Sequence, residues 1–307
     1  MRHFLRDDDL TPDEQAEVLE LAAAMKRAPY DRRPLAGPGT VALLFDKPTL
    51  RTQASFQAGV AELGGFPMLV DGSLAGVGTR EPVADVARVL GRQAVAVVWR
   101  TGDQSRIEEM AAYAGVPVVN ALTDQFHPCQ LLADLLTVRE HKRGLAGLRA
   151  AFVGDAASNM GHSWLLAGAT AGLEVEIGCP PGYEPDPEVF RAAAAVAAKT
   201  GGSVHLDHDV GTAVLGADVV ITDTWVSMGK EAEAADRLAA LAPYQLDEDL
   251  LARAKSDAIV LHCLPAYRGK EVTAGVIDSS ASVVWDEAEN RRHAQKALLT
   301  WLLERGP

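Results

Sequence analysis

Ala258-Ile259-Val260-Leu261-His262-Cys263-Leu264-Pro265 is the stretch from which the fold can be read. Its first four residues form an apolar run behind Lys255-Ser256-Asp257, the pattern of a strand buried on both faces of a parallel sheet. A histidine, a thiol and a proline follow at the carboxyl end. In open α/β sheets, ligands bind outside the carboxyl ends of the strands. The same residues also read as a buried cysteine packing as a small hydrophobe beside a strand-ending proline.

Working outward, further apolar runs alternate with helical patterns. Runs at 41–45, 68–70, 95–99 and 118–120 read as strands, with helices at 52–63, 83–90 and around 107–113. Thr11-Pro12-Asp13-Glu14 combines a capping box with proline at the first helical position, and opens a helix to about residue 27. A helix at about 128–141 runs into Lys142-Arg143-Gly144, which reads as a hinge. A second series follows, with strands at 150–153, 175–178, 203–206, 219–222 and 258–261, a short sixth at 282–285, and a closing helix at 294–303. Such alternation means βαβ units and parallel sheets. The expectation is an α/β protein of two domains, each a parallel sheet flanked by helices, with the cleft between them as the site.

The 307 residues suit two domains, and 48% hydrophobic with 23% charged content is ordinary for a globular protein. A formal net charge of −13 argues against general binding of nucleic acid or an anionic membrane surface. It is compatible with a local arginine pocket for a small anion. Cys129, Cys179 and Cys263 form no close pair, which disfavours a disulfide framework and a zinc site and favours a reducing compartment. The first nine residues carry no apolar signal core, and no run approaches the ~20 apolar residues of a membrane span. A cytoplasmic location is expected.

Chemistry gathers at the other strand ends. Lys47-Pro48-Thr49-Leu50-Arg51-Thr52 lies between the first strand and a helix start, where free N–H groups, hydroxyls and a guanidinium suit a phosphate. It is not a Walker loop. Trp99-Arg100-Thr101 ends the third strand, and an arginine leaving a buried strand requires an anionic partner or an exit to solvent. His127-Pro128-Cys129-Gln130 follows the fourth; His127 is able to donate to a developing oxyanion, or simply starts a helix. In the second half, Asp223 suits an amine, while Asn159 and Ser227 suit a carboxylate, together the inventory for an amino acid. Turn capping is the alternative for Asp223, and a surface ion pair the alternative for Arg291.

At this point the chain resembles the aspartate/ornithine carbamoyltransferase family, and within it the ornithine carbamoyltransferases. The resemblance spans nearly the whole chain. It rests on Phe45 to Thr52 against F-x-K-x-S-T-R-T, His127 to Gln130 as H-P-x-Q, Asp223 to Gly229 as D-x-x-x-S-M-G, His262 to Pro265 as H-C-L-P, and Glu289-Asn290-Arg291. It implies an N-terminal carbamoyl-phosphate domain (1–141 with a last helix at about 290–307 packing back on it) and a C-terminal ornithine domain (145–289). It also implies a homotrimer, a place in arginine biosynthesis, and no metal or organic cofactor. Position by position, Thr49, Leu50, Arg51, Thr52 and Arg100 would surround the phosphate. Arg51, Thr52, His127, Gln130, Leu264 and Arg291 would surround the carbamoyl group, with Arg51, His127, Cys263 and Arg291 as catalytic residues. Asn159, Asp223, Ser227, Met228 and Cys263 would hold ornithine.

The chain also departs from the family. Leu50 replaces a hydroxyl residue and Gln53 an arginine. Gly76 stands where a second loop carries a glutamine, and Ser158 where an asparagine is common. These changes lie mainly at the phosphate periphery, and three readings follow. The chain is a working ornithine enzyme of reduced carbamoyl-phosphate affinity, a specialised paralogue for another diamino acid or tolerant of a phosphate-mimicking toxin, or a non-catalytic relative. The first is the favoured reading, and retention of Arg51, His127, Asp223 and Cys263 disfavours the last.

Overall fold

The computed structural model describes residues 1–47, 49–226 and 230–305. The chain divides into two compact units, Met1–Leu136 with Glu289–Pro307, and Thr137–Ala288.

In the first unit, α1 (Pro12–Arg27) starts on the expected capping box: Thr11 accepts from the Glu14 N–H, and Glu14 accepts from the Thr11 N–H. There follow β1 (Thr40–Phe45), α2 (Arg51–Glu62), β2 (Phe66–Asp71), the single turn α3 (Gly72–Ala75), α4 (Val83–Gln93), β3 (Ala96–Arg100), α5 (Gln104–Ala114), β4 (Val118–Leu122) and α6 (Pro128–Lys142). The strands form one parallel sheet in the order β2-β1-β3-β4. Phe45 pairs in register with both Asp71 and Arg100, so the loops after β1, β2 and β3 leave one edge of the sheet at the same height. The chain reverses direction across the sheet between β1 and β3, the position where such folds open a ligand crevice.

In the second unit, β5 (Arg149–Val153), α7 (Asn159–Thr170), β6 (Glu174–Gly178), α8 (Pro187–Thr200), β7 (Ser203–Asp207), α9 (Val210–Val214), β8 (Val219–Thr222), α10 (Ala234–Leu241), α11 (Glu248–Leu251), β9 (Ile259–Leu261) and α12 (Ala274–Ile277) build a parallel sheet in the order β7-β6-β5-β8-β9. Its reversal lies between β5 and β8. Here too the register brings the ends of β5, β8 and β9 to one edge. The fully buried runs Ala150–Val153 and Val219–Ile221 are the two-faced strands that the apolar patterns indicate.

One expected element is absent. The stretch 282–285 is not a strand: Ser282 makes a single bridge to Val260, and α13 (Val284–Glu304) begins two residues later. Of the apolar pair, Val283 precedes this long helix and Val284 opens it, both buried. From Glu289 onward α13 belongs to the first unit. Lys296, fully buried, pairs there with Glu62 at 2.6 Å and donates to the Pro29 carbonyl at 2.7 Å, and Trp301 donates to Glu17 at 2.9 Å. No helix among the described residues is long and apolar enough to cross a membrane.

Candidate active site

The loop after β1 leads directly into α2, whose N-cap is Leu50. An aliphatic side chain offers no capping acceptor, and no side-chain cap bond is made. The first-turn N–H groups of α2 are therefore left for another acceptor, and the helix end carries partial positive charge. Leu50 itself points its side chain outward, 79% exposed. Arg51 opens the helix at intermediate exposure, and Thr52 is buried one residue on.

Around this helix end the cations converge. Arg100, at the tip of β3, donates to the Thr49 hydroxyl at 3.3 Å and reaches the Thr52 hydroxyl at 3.5 Å. Arg291, on α13, donates to the same Thr52 hydroxyl at 2.8 Å and also to Gln130 Oε1. Gln130 in turn donates to Asp134 at 2.7 Å. His127 stands buried at the entrance of α6. Burial, and then the positive charges of Arg291 and Arg100, push its pKa well below the ordinary imidazole value. A neutral His127 keeps one N–H to donate and adds no charge of its own. Burial pushes the neighbouring Cys129 thiol up, which leaves it a packing residue with no nucleophilic character. The first unit thus brings together Thr49, Thr52, Arg100, His127, Gln130 and Arg291 at the uncapped helix end that Leu50 and Arg51 open, the donor set of an oxyanion site.

In the second unit the loops after β5, β8 and β9 carry the site residues. Asn159 is the first residue of α7, behind Ser158, whose hydroxyl caps the helix by accepting from the Gly161 N–H at 3.3 Å. Serine at 158 is thus explained by the cap. Asp223 follows β8, half-buried, and accepts from the Cys263 thiol at 3.2 Å. Burial raises the Asp223 carboxyl, against the opposing effects of His262, the Thr224 N–H and the Cys263 thiol. Ser227, Met228 and Gly229 lie outside the described residues, as does Pro48.

The backbone after β9 is held by a buried histidine. The Leu264 N–H donates to His262 Nδ1 at 2.9 Å, which leaves the proton on Nε2, facing Glu271 Oε1 at 3.3 Å. The His262 N–H donates to Glu287 at 2.9 Å. Leu264 adopts φ +61°, a left-handed conformation that costs a residue with a Cβ about 1–2 kcal/mol. These bonds hold it there. Asp223, His262 and Cys263 offer ligand atoms within 4.8 Å of one another. Both ring nitrogens of His262 are already engaged, so a metal would have to displace either the bond to Leu264 or the contact with Glu271.

Sequence reasoning missed three supporting groups. Glu271 shows no motif linking it to His262. Arg237, on α10, pairs with Asp155 and donates to the Trp225 carbonyl at 2.7 Å, tying the loop after β5 to the loop after β8. Burial raises the Asp155 carboxyl and Arg237 opposes that rise. Asp46 shows in the sequence only as a variable position of the phosphate motif, yet three side chains donate to it. No short-range spacing signals any of these pairings.

Comparison with known proteins agrees with both halves. Residues 2–140 match the family described as aspartate/ornithine carbamoyltransferase, carbamoyl-P binding domain, and residues 146–302 match its Asp/Orn binding domain. Ornithine carbamoyltransferase of Clavibacter sepedonicus is 61% identical over 302 residues, covering 98% of each chain. The enzyme of that name from Mycobacterium ulcerans (strain Agy99) is 56% identical over 306 residues, covering 100% of this chain and 99% of its own. The solved ornithine carbamoyltransferase of Pyrococcus furiosus superposes with a TM-score of 0.94 at 44% identity, covering 99% of this chain and 97% of its own. The two family matches together span nearly the whole chain, and the chain belongs to the aspartate/ornithine carbamoyltransferase family.

Proposed function

We propose that the protein transfers the carbamoyl group of carbamoyl phosphate to the side-chain amine of L-ornithine, giving L-citrulline and phosphate. The observation that carries this reading is the convergence of Arg100 and Arg291 on Thr52 at the uncapped start of α2, opposite in chemistry to the Asp223–Cys263 pair of the second unit. One set fits an anionic phosphoryl donor, the other a cationic amine. Residues 1–141 with the last helix serve the first substrate, and residues 145–289 the second.

Arg51, Arg100, Thr49 and Thr52, with the first N–H groups of α2, hold the phosphate. The neutral amine attacks the carbonyl carbon and forms a C–N bond. The oxyanion so formed is stabilised by Arg51, Thr52, Arg291 and the N–H of neutral His127. The bond from carbon to the phosphate oxygen then breaks, and phosphate leaves with a proton from the attacking nitrogen. Asn159, Ser227 and Met228 hold the amino-acid end, Gln130 and the Leu264 carbonyl orient the carbamoyl NH₂, and Asp223 with Cys263 directs the amine. An alkylammonium has a pKa near ~10.4, so the site must favour the neutral amine, and Cys263 is the group placed to assist. The remaining acceleration is positioning of two reactants.

A homotrimeric, cytoplasmic enzyme of arginine biosynthesis is the setting this reading implies. The exposed Phe66, Leu69 and Leu74 on and beside edge strand β2 support association of copies. The test is steady-state kinetics with carbamoyl phosphate and ornithine, shorter diamino acids, acetylornithine and putrescine, following ureido product and phosphate together. Citrulline formation with ornithine preferred supports the reading, and preference for another acceptor or no turnover overturns it. Sedimentation equilibrium measures the assembly.

A further inference from the structure

Asp46 and Arg106 form a hub beneath the anion loop that no motif marks. Asp46 sits between β1 and Thr49, and its N–H donates to the Arg100 carbonyl at 3.0 Å. Its carboxylate accepts from Trp99 Nε1 at 2.9 Å, from the Thr101 hydroxyl at 2.7 Å and from Arg106 Nη1 at 2.8 Å. Arg106, on α5, lies over the Trp99 ring at 5.0 Å, and Trp99 is fully buried. With its other terminal nitrogen Arg106 donates to the Val77 carbonyl at 2.6 Å. A Cβ on Gly72 would stand 2.1 Å from Asp46 Oδ1, so the start of segment 72–82 rests directly on this carboxylate. One guanidinium therefore grips the loop after β1 with one nitrogen and the loop after β2 with the other, over an aromatic base that fixes its plane.

We infer that Arg106 is a positioning residue for the phosphoryl donor: through Asp46 and Val77 it makes the anion loop 46–52 and the segment 72–82 one mechanical unit and so sets the affinity for carbamoyl phosphate. The inference rests on the proposed function for the donor's identity. The physical reason is that α2 presents unpaired N–H groups whose direction follows the loop leading into it. A displacement of this loop by an ångström removes their aim. Leu50 contributes no polar side chain to the site, so the backbone's placement carries more of the binding.

The test compares Arg106→Lys, Arg106→Met and Asp46→Asn with the parent protein. Lysine keeps a charge for Asp46 but lacks the planar fork that reaches Asp46 and Val77 together. The expected result for Arg106→Lys is a KM and a calorimetric Kd for carbamoyl phosphate raised about tenfold, with the KM for ornithine and kcat within about twofold. Its melting temperature should stay near the parent's, and Arg106→Met should raise the Kd at least as much. A carbamoyl-phosphate Kd unchanged in both folded Arg106 variants overturns the inference, as does an equal rise in both KM values. Absence of citrulline formation by the parent overturns the proposed function alone, because the calorimetric Kd is read without turnover.

Discussion

Arg100 and Arg291 donate to a single hydroxyl, that of Thr52, at 3.5 and 2.8 Å. Two guanidinium groups brought so close repel each other, and an anion between or beside them relieves that repulsion. Arg291 also holds Gln130, so its loss unties the helix that His127 opens. Arg291→Met should lower kcat/KM for carbamoyl phosphate by about 10²–10³-fold, the usual effect of removing one oxyanion donor. Added phosphate should also raise the melting temperature of the parent more than that of the variant.

Asp223 trades stability for binding. Its carboxyl is raised by burial, so between the ordinary aspartate pKa and the raised value the folded chain holds more protons than the unfolded one. Stability contributed at this site therefore falls as pH rises through that window and stays low above it. Asp223→Asn should melt higher than the parent at neutral pH and lose ornithine binding. In the parent, ornithine affinity should weaken on acidification at a higher pH than an ordinary aspartate would dictate. Melting curves and ornithine titrations across pH check both statements.

His127 behaves in the opposite sense. Its pKa lies well below the ordinary value, so between the two the unfolded chain binds the extra proton. Stability is full above the ordinary imidazole pKa and is lost as pH falls toward the depressed value. NMR titration of ring-labelled protein should show the His127 resonance unmoved through the ordinary imidazole range.

Leu50 is open to repair. Leu50→Ser would place a hydroxyl at the N-cap of α2, where such caps contribute about 0.5–2 kcal/mol. If that hydroxyl caps the helix, the melting temperature rises; if it turns to the phosphate, the KM for carbamoyl phosphate falls. A variant that changes neither would show that the cap position is already satisfied.

Gly76 is not open to the same repair. It has φ +67°, and a Cβ there would stand 2.7 Å from the Cβ of Arg80. Gly76→Gln restores the family's residue in a left-handed position and should destabilise the protein by about 1–2 kcal/mol with no gain in carbamoyl-phosphate affinity. Thermal melting with donor kinetics tests this.

The strand-and-helix alternation was legible because both sheets are parallel and their inner strands β1, β3, β5 and β8 are buried on two faces, so these appear as plain apolar runs. The one false strand, 282–285, carried the same signal: Val283-Val284 is equally apolar at a helix start, and short runs do not separate the two. Thr52, Arg100, Gln130 and Arg291 were each visible as residues at strand or helix ends. The meeting of Arg100 and Arg291 on the Thr52 hydroxyl, and of Arg291 with Gln130, was not, since it joins positions far apart in the chain. The same holds for Asp46 with Arg106, Asp155 with Arg237 and His262 with Glu271. In each pair the local sequence shows only a charge that an exposed loop would equally carry.

Helix α13 begins in the second unit and ends in the first, where its Arg291 reaches Thr52 and its Lys296 lies buried against Glu62. During synthesis, then, the half that emerges first from the ribosome is the half completed last. The cluster on Thr52 lacks one arginine, and Glu62 lacks its buried lysine, until nearly the whole chain has been made. The intervening unit, continuous in sequence, can fold without waiting. A chain cut short before Arg291 would lose a guanidinium from the cluster whose other members are encoded at its opposite end.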